Sequence, residues 1–259
     1  MGKQKGVLMI KSTIATGIVP EASNLPTRGI MNYKKEMETG TLNVLRTSQT
    51  AGIHMATVMG LELVVLEGVF SPKYFADTEF FIRNMPIEPG QHGLEIGPGT
   101  GAFSVFAALN GLRMDAIDIN PAAVMNTRIN AVLQRVERKV NVVQGDVFTT
   151  AEKLYYAPHD FVFWNHPFNL TAEPTTQLTD LERSVSDPGY EATQRFITEA
   201  ATSLRRDIPL YIGTSLKLGQ DNLVFDLFHE AGYQTEIIAQ DNFDEGGNLI
   251  DYTLIRGTF

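Results

Sequence analysis

"GLEIGPGTGAF", residues 93–103, decides the fold. An apolar run ends at Ile96, glycines alternate at 97, 99 and 101, and an apolar run continues to Gly111. The pattern reads as a strand, a tight loop and a helix closed by a glycine. Glycine accepts a left-handed backbone and lets the main chain approach a ligand closely. The helix beyond presents free N–H groups and the positive end of its dipole. Such a loop is where an open parallel sheet binds its ligand, outside the carboxyl ends of the strands.

The same alternation continues on the C-terminal side. "MDAIDI", "KVNVVQGD", "DFVFWN" and "PLYIGTS" read as strands. "PAAVMNTRINAVLQRV", with Pro121 in its first turn, "YEATQRFITEAATSLRR" and "DNLVFDLFHEAG" read as helices. "YQTEIIAQ" and "LIDYTLIRG" alternate in hydropathy around "DEGGN" and read as a closing hairpin. The expected architecture is α/β: a Rossmann-like parallel sheet with right-handed crossovers and a terminal antiparallel hairpin. Residues 1–85 differ: a polar segment, a strand-like "LELVVLEGVFSP" and a helical "FADTEFFIRNM". A boundary is expected at "PIEPGQ", residues 86–91, dividing a small helical and hairpin cover, 1–85, from a catalytic domain, 86–259.

Composition narrows the class. No apolar run is long enough to span a membrane as a helix, and the lysine-bearing start has too short an apolar core for a signal peptide. With no cysteine there is neither disulfide nor thiol nucleophile, so a cytoplasmic location is expected. Net charge is −9, and Arg128, Arg135, Arg138 and Lys139 form only a weak basic cluster. A nucleic-acid partner is therefore disfavoured and a small-molecule or protein substrate favoured, with a small molecule as the expected partner. The oligomeric state stays open. His54, His92, His159, His166 and His229 show no paired spacing on a helix, and no metal is expected.

The loop alone does not name its ligand, because Gly97, Gly99 and Ala102 also satisfy a dinucleotide fingerprint. Three acids point elsewhere. Glu95, two residues before the first glycine, can face an ammonium group. Asp118, ending the second strand, can take both ribose hydroxyls. Asp146, ending the third strand, can read an adenine amine.

In this order, "LEIGPGTG", "IDIN" and "QGDVF" resemble the motifs of class I S-adenosylmethionine-dependent methyltransferases. The resemblance covers about residues 60–259 and implies a seven-stranded sheet and S-adenosyl-L-methionine as cofactor. It implies a cofactor site made of Glu95, Gly97, Pro98, Gly99, Thr100, Gly101, Asp118, Ile119, Asp146, Val147 and Asn165. "NHPF", residues 165–168, is similar to the Asn-Pro-Pro-Tyr/Phe motif of amino- and amide-N-methyltransferases. "GLELVVLEGVFSP" with "DTEFF" resembles the hairpin and helix of release-factor glutamine methyltransferases. This implies that Asn165 orients the nucleophile, that the following peptide binds an oxygen, and that Phe168 forms a wall. Pro167 keeps the motif's second proline. His166 replaces the first, either as a base for an ammonium acceptor or as a packed substitute. The N-terminal segment departs from the helical bundle of the release-factor enzymes. Residues 169–192 are long for a loop and suggest an acceptor lid, with Asp187 and Tyr190 as candidates. Phe70 is a further candidate acceptor contact, and Met31, Tyr33, Met37, Met55 and Met59 are candidates for a second cover.

The expected activity is N-methylation of a small amino or amide compound by in-line displacement at the sulfonium. An alternative uses the same cofactor differently: its own amine attacks, giving azetidine-2-carboxylate and methylthioadenosine. A non-catalytic binding module and a nucleic-acid N-methyltransferase are the remaining readings.

Overall fold

Strands that carry unbroken apolar runs must be covered on both faces, and this requirement builds the molecule. In a computed structural model, residues 40–146, 158–169, 175–219, 222–245 and 249–259 are described. Residues 40–50 form helix α1. Strands β1 (His54–Val58) and β2 (Leu61–Val65) make an antiparallel hairpin, followed by α2 (Asp77–Asn84). Then come β3 (His92–Ile96), α3 (Ala102–Leu109), β4 (Arg113–Asp118), α4 (Pro121–Leu133), β5 (Val140–Gln144) and β6 (Phe161–Asn165). Short α5 (Asp180–Arg183), α6 (Glu191–Ser203), β7 (Leu210–Thr214), α7 (Leu223–Glu230), β8 (Gln234–Asp244) and β9 (Leu249–Thr258) complete the chain.

The main sheet runs β5-β4-β3-β6-β7-β9-β8, parallel except for β9, which lies antiparallel between β7 and β8. The expected terminal hairpin is thus present, with β8 on an exposed edge. The chain leaves β3 toward β4 and β5, then crosses back to β6. That reversal opens a crevice between the carboxyl ends of β3 and β6. One face of the sheet is covered by Phe80, Phe81, Phe103, Phe161, Phe163, Tyr211 and Tyr252. The other is covered by Leu94, Ile96, Val162, Trp164, Phe196 and Ile212.

The connection at 86–91 is not a gap in the packing. Val58, Leu63, Phe80 and Phe81, before it, share one buried cluster with Val105, Met114 and Phe163, after it. Phe81 lies over Gly213 of β7 so closely that an added Cβ would meet its ring at 2.7–2.9 Å. Gly213 pairs with Asn165 in the neighbouring strand. Gly213→Val is expected to lose about 2–3 kcal/mol of stability through overpacking. Urea unfolding would check this, and a loss within error would mean that α2 shifts freely.

The hairpin is fastened by α4. Asn126 and Asn130, four residues apart on one helical face, are fully buried. Their Oδ1 atoms accept from Leu66 N–H and Val64 N–H at 2.8 Å, and both Nδ2 groups donate to the Val64 carbonyl. Gln134, one turn further on, donates to the Glu62 carbonyl. Side-chain amides thus satisfy the free edge of β2, replacing the ladder partner that an edge strand lacks. Met31, Tyr33 and Met37, expected in a cover, lie outside the described residues. Among the described residues, no helix is long and apolar enough to cross a membrane.

Candidate active site

The crevice holds a cavity of about 470 Å³, in the range of small-molecule sites. Its lining comes from the ends of β3, β4 and β6, with contributions from α2 and the segment before α6.

Gly97, Gly99 and Gly101 all have positive φ, at 61°, 56° and 79°. The three glycines divide their tasks. Gly97 and Gly99 line the cavity. Gly101 is the residue before α3, and a Cβ there would lie 2.8–3.1 Å from Thr127 of α4, backbone included. Gly101 thus serves helix packing behind the loop. Pro98 and Thr100 line the cavity.

Glu95 is buried, and its Oε2 accepts from both the backbone and the hydroxyl of Ser104. Burial still dominates and pushes its carboxyl up to about 7. Asp118 ends β4, where its oxygens accept from Gly99 N–H at 3.1 Å and Asn120 N–H at 2.9 Å. Burial raises it to about 6 against those two bonds. Ile119 lines the cavity beside it, half-exposed. Asp146 lines the cavity and pairs with Arg195 of α6 at 2.9 Å. Val147 lies outside the described residues.

Asn165 ends β6. Its Nδ2 donates to Asp77 Oδ2 at 2.7 Å, while its Oδ1 is buried with no hydrogen-bond partner. Asp77, at the start of α2, is itself buried, and burial raises its carboxyl. The Asp77 carboxylate accepts only the Nδ2–H end and so sets which way the amide faces. Pro167 and Phe168 line the cavity, and Phe168 lies 6.2 Å from the Tyr252 ring. Phe70 also lines it, stacked on Phe75 at 5.2 Å.

Two expectations need correction. His166 is 1% exposed, and its ring nitrogens are held by Thr193 Oγ1 at 3.0 Å and Thr214 Oγ1 at 2.8 Å. Burial lowers it to about 3. A ring so engaged and so weakly basic is a packing element that joins β6 to β7 and α6, and not a base. Tyr190 is also 1% exposed; its hydroxyl donates to the Phe168 carbonyl at 2.9 Å. It supports the wall from behind and is not among the residues that line the cavity. Asp187 caps α6, accepting from Ala192 N–H and from the backbone and hydroxyl of Thr193.

Sequence reasoning missed Asp77, Ser104 and Arg195. Ser104 carried a faint signal, a hydroxyl inside the apolar "AFSVFAAL". Asp77 carried none, because an acid in the first turn of a helix is ordinary.

Residues 60–243 match the methyltransferase small domain model. The chain belongs to that family. It is an S-adenosylmethionine-dependent methyltransferase. A chain from Methanocaldococcus jannaschii bearing the name protein N5-glutamine methyltransferase is 26% identical over 186 residues, 71% of this chain and 90% of its own. A release factor glutamine methyltransferase from Aquifex aeolicus is 32% identical over 116 residues, 42% of this chain and 40% of its own. A ribosomal protein L11 methyltransferase from Geobacillus kaustophilus is 29% identical over 121 residues, 46% of this chain and 35% of its own. The methyltransferase described here thus spans well under half of the last two relatives. Among solved structures, a T. thermophilus 16S rRNA N2 G1207 methyltransferase, determined with S-adenosylmethionine and guanosine, superposes with a TM-score of 0.55. It shares 18% identity, covers 80% of this chain and 50% of its own, and shows the same fold.

The expected partner was a small molecule, with nucleic acid disfavoured. That expectation is overturned: these relatives act, by name, on proteins or RNA. Net charge is a sum over the whole surface and carries no information on what one cleft admits.

Proposed function

We propose that this methyltransferase transfers the methyl group of S-adenosylmethionine to the side-chain amide nitrogen of a glutamine in a protein. The observation that carries the proposal is Asn165, whose Nδ2 is locked onto Asp77 while its Oδ1 is left without a donor. A buried acceptor left unpaired costs roughly 1–3 kcal/mol. An acceptor's NH2 group would satisfy it and be oriented by it. The names of the glutamine-directed relatives agree with this reading.

In this reading Glu95 holds the cofactor's ammonium, Asp118 its ribose hydroxyls and Asp146 the adenine amine, over the loop from Gly97 to Thr100. The cytoplasm, where such cofactors and protein substrates meet, suits a chain without cysteine. The amide nitrogen attacks the methyl carbon as the carbon–sulfur bond breaks, and the leaving group is a neutral thioether. An amide nitrogen is a poor nucleophile because its lone pair is delocalised. Alignment with the sulfonium is therefore the main contribution of the protein. The N-methylated amide cation is strongly acidic, so its extra proton passes to water without a dedicated base. This agrees with the lack of basicity at His166. Phe168 supplies an apolar wall, and its ring face favours the sulfonium charge.

Asp77 is a positioning residue here. Asp77→Ala is expected to lower kcat by about a hundredfold, with the cofactor Kd within threefold of the parent. Asp77→Asn, which can still accept from Asn165, should recover most of that loss. Equal losses in both variants would instead indicate a general packing defect. The function itself is tested by incubating the protein with methyl-labelled S-adenosylmethionine and glutamine-bearing peptides or an RNA pool. One added methyl on a glutamine side chain, absent with asparagine counterparts, is the expected result. Label on lysine, on a terminal amine or on a nucleobase overturns it.

A further inference from the structure

The end of the sheet remote from the cavity holds a second cluster. The five histidines look scattered in sequence, but the fold brings His92, first residue of β3, and His159, two residues before β6, onto Asp115 of β4. Both imidazole Nε2 atoms lie 2.9 Å from the same oxygen, Asp115 Oδ2. The rings are 4.6 Å apart, and the three ligand atoms lie within 4.8 Å of one another. Among the described residues, no other group of histidines and acids converges in this way.

We propose that His92, His159 and Asp115 form a divalent transition-metal site of the zinc class. Two imidazoles and one carboxylate are a common set of three protein ligands, with a fourth position left to water. The geometry is close to what the ion needs. Ligand bonds of about 2.0–2.1 Å in a tetrahedron place the donor atoms about 3.3 Å apart. The two 2.9 Å separations to Asp115 Oδ2 need to open by a few tenths of an ångström, while the two imidazole nitrogens, within 4.8 Å of each other, settle to the same spacing. His159 is fully enclosed and His92 largely so, which limits competition from water. The surrounding contacts also suit a ligand role. Asn141 donates to Asp115 Oδ1 at 2.8 Å and so holds the carboxylate with Oδ2 toward the imidazoles. On metal binding the Nε2 lone pairs go to the ion, and each neutral ring keeps its proton on Nδ1.

The placement gives the site a consequence. The three segments it would join, β3, β4 and the entry to β6, are those whose opposite ends carry Glu95, Asp118 and Asn165. A metal here would clip together the strands that hold the active site, some distance from the reacting atoms. Its role is then structural, read in stability and not in the chemistry.

The test uses the full-length protein stripped of metal by a chelator and titrated with Zn²⁺, then with Co²⁺ as a spectroscopic probe. One equivalent of zinc is expected, with visible absorption of four-coordinate cobalt that zinc abolishes. A rise in melting temperature of about 5 °C at a large excess over Kd should accompany it. His92→Gln, at the partly exposed position, and Asp115→Asn should each weaken zinc binding at least tenfold while circular dichroism stays unchanged. If the parent protein takes up no stoichiometric zinc at micromolar concentration, the cluster is only a hydrogen-bonded bridge and the proposal fails. It fails equally if zinc binds the variants as tightly as the parent.

Discussion

Asn165→Ala is expected to lower kcat by about a thousandfold while leaving the Kd for S-adenosylmethionine within threefold of the parent value. The split follows from the geometry. The Asn165 amide is fixed by Asp77 on one side and offers an unpaired oxygen on the other. Removing it takes away the group that would hold the acceptor nitrogen in line with the sulfonium, and leaves Glu95 and Asp118 in place. Asn165→Asp keeps an acceptor oxygen but sets a second carboxylate against Asp77 within a buried pair. It should therefore fall between the parent and Asn165→Ala, and lose further activity as the pH rises and the pair ionises. Isothermal titration with the cofactor and single-turnover methyl transfer would measure the two quantities separately. A matched loss in binding and turnover would place Asn165 on the cofactor and not on the acceptor.

Glu95 supplies the second large effect, through pH. Burial raises its carboxyl to about 7, from an ordinary value of 4.5. The cofactor's ammonium pairs only with the ionised form. Affinity should accordingly be greatest near pH 8, where Glu95 is ionised and the cofactor's amine still largely charged, and fall roughly tenfold per unit below 7. Asp118, raised to about 6, adds a second loss at lower pH. Glu95→Gln should remove the upper transition and weaken binding by about 10–100-fold at pH 8. Stability of the cofactor-free protein moves the other way. The folded chain holds this proton more tightly than the unfolded chain does. The stabilising contribution of Glu95 is therefore complete below about 4.5 and is lost as the pH rises through about 7. Bound cofactor supplies the countercharge and should restore stability at pH 8. Thermal melts with and without S-adenosylmethionine, from pH 5 to 8, would show the two slopes. A pH-independent affinity in the parent would exclude Glu95 as the ammonium partner.

The order of elements was legible from residue 92 onward because parallel strands buried on both faces must be continuously apolar. "FVFWN" and "LYIGT" satisfy that condition without help from distant residues. The glycine loop was legible for a local reason as well: left-handed backbone at 97, 99 and 101 demands glycine in the sequence itself. Acids at strand ends were legible because the parallel strands β3 to β7 send their carboxyl ends to one edge of the sheet.

Other features had no local signature, and only the tertiary structure decided them. Asn126 and Asn130 read as polar helix surface, yet they are buried as the hydrogen-bonding edge for a hairpin some sixty residues earlier. His166 occupies a motif position that invites a catalytic reading. Two threonines, 27 and 48 residues away in the chain, make it a packing residue. Asp77 orients Asn165 from 88 residues away, and His92, Asp115 and His159 meet although their spacing follows no pattern. Secondary structure and loop conformation depend on neighbours in the chain, so the sequence alone determined the sheet, its glycine loop and its cofactor class. Charge state, burial and pairing depend on neighbours in space, so the roles of individual polar side chains emerged only from the folded structure.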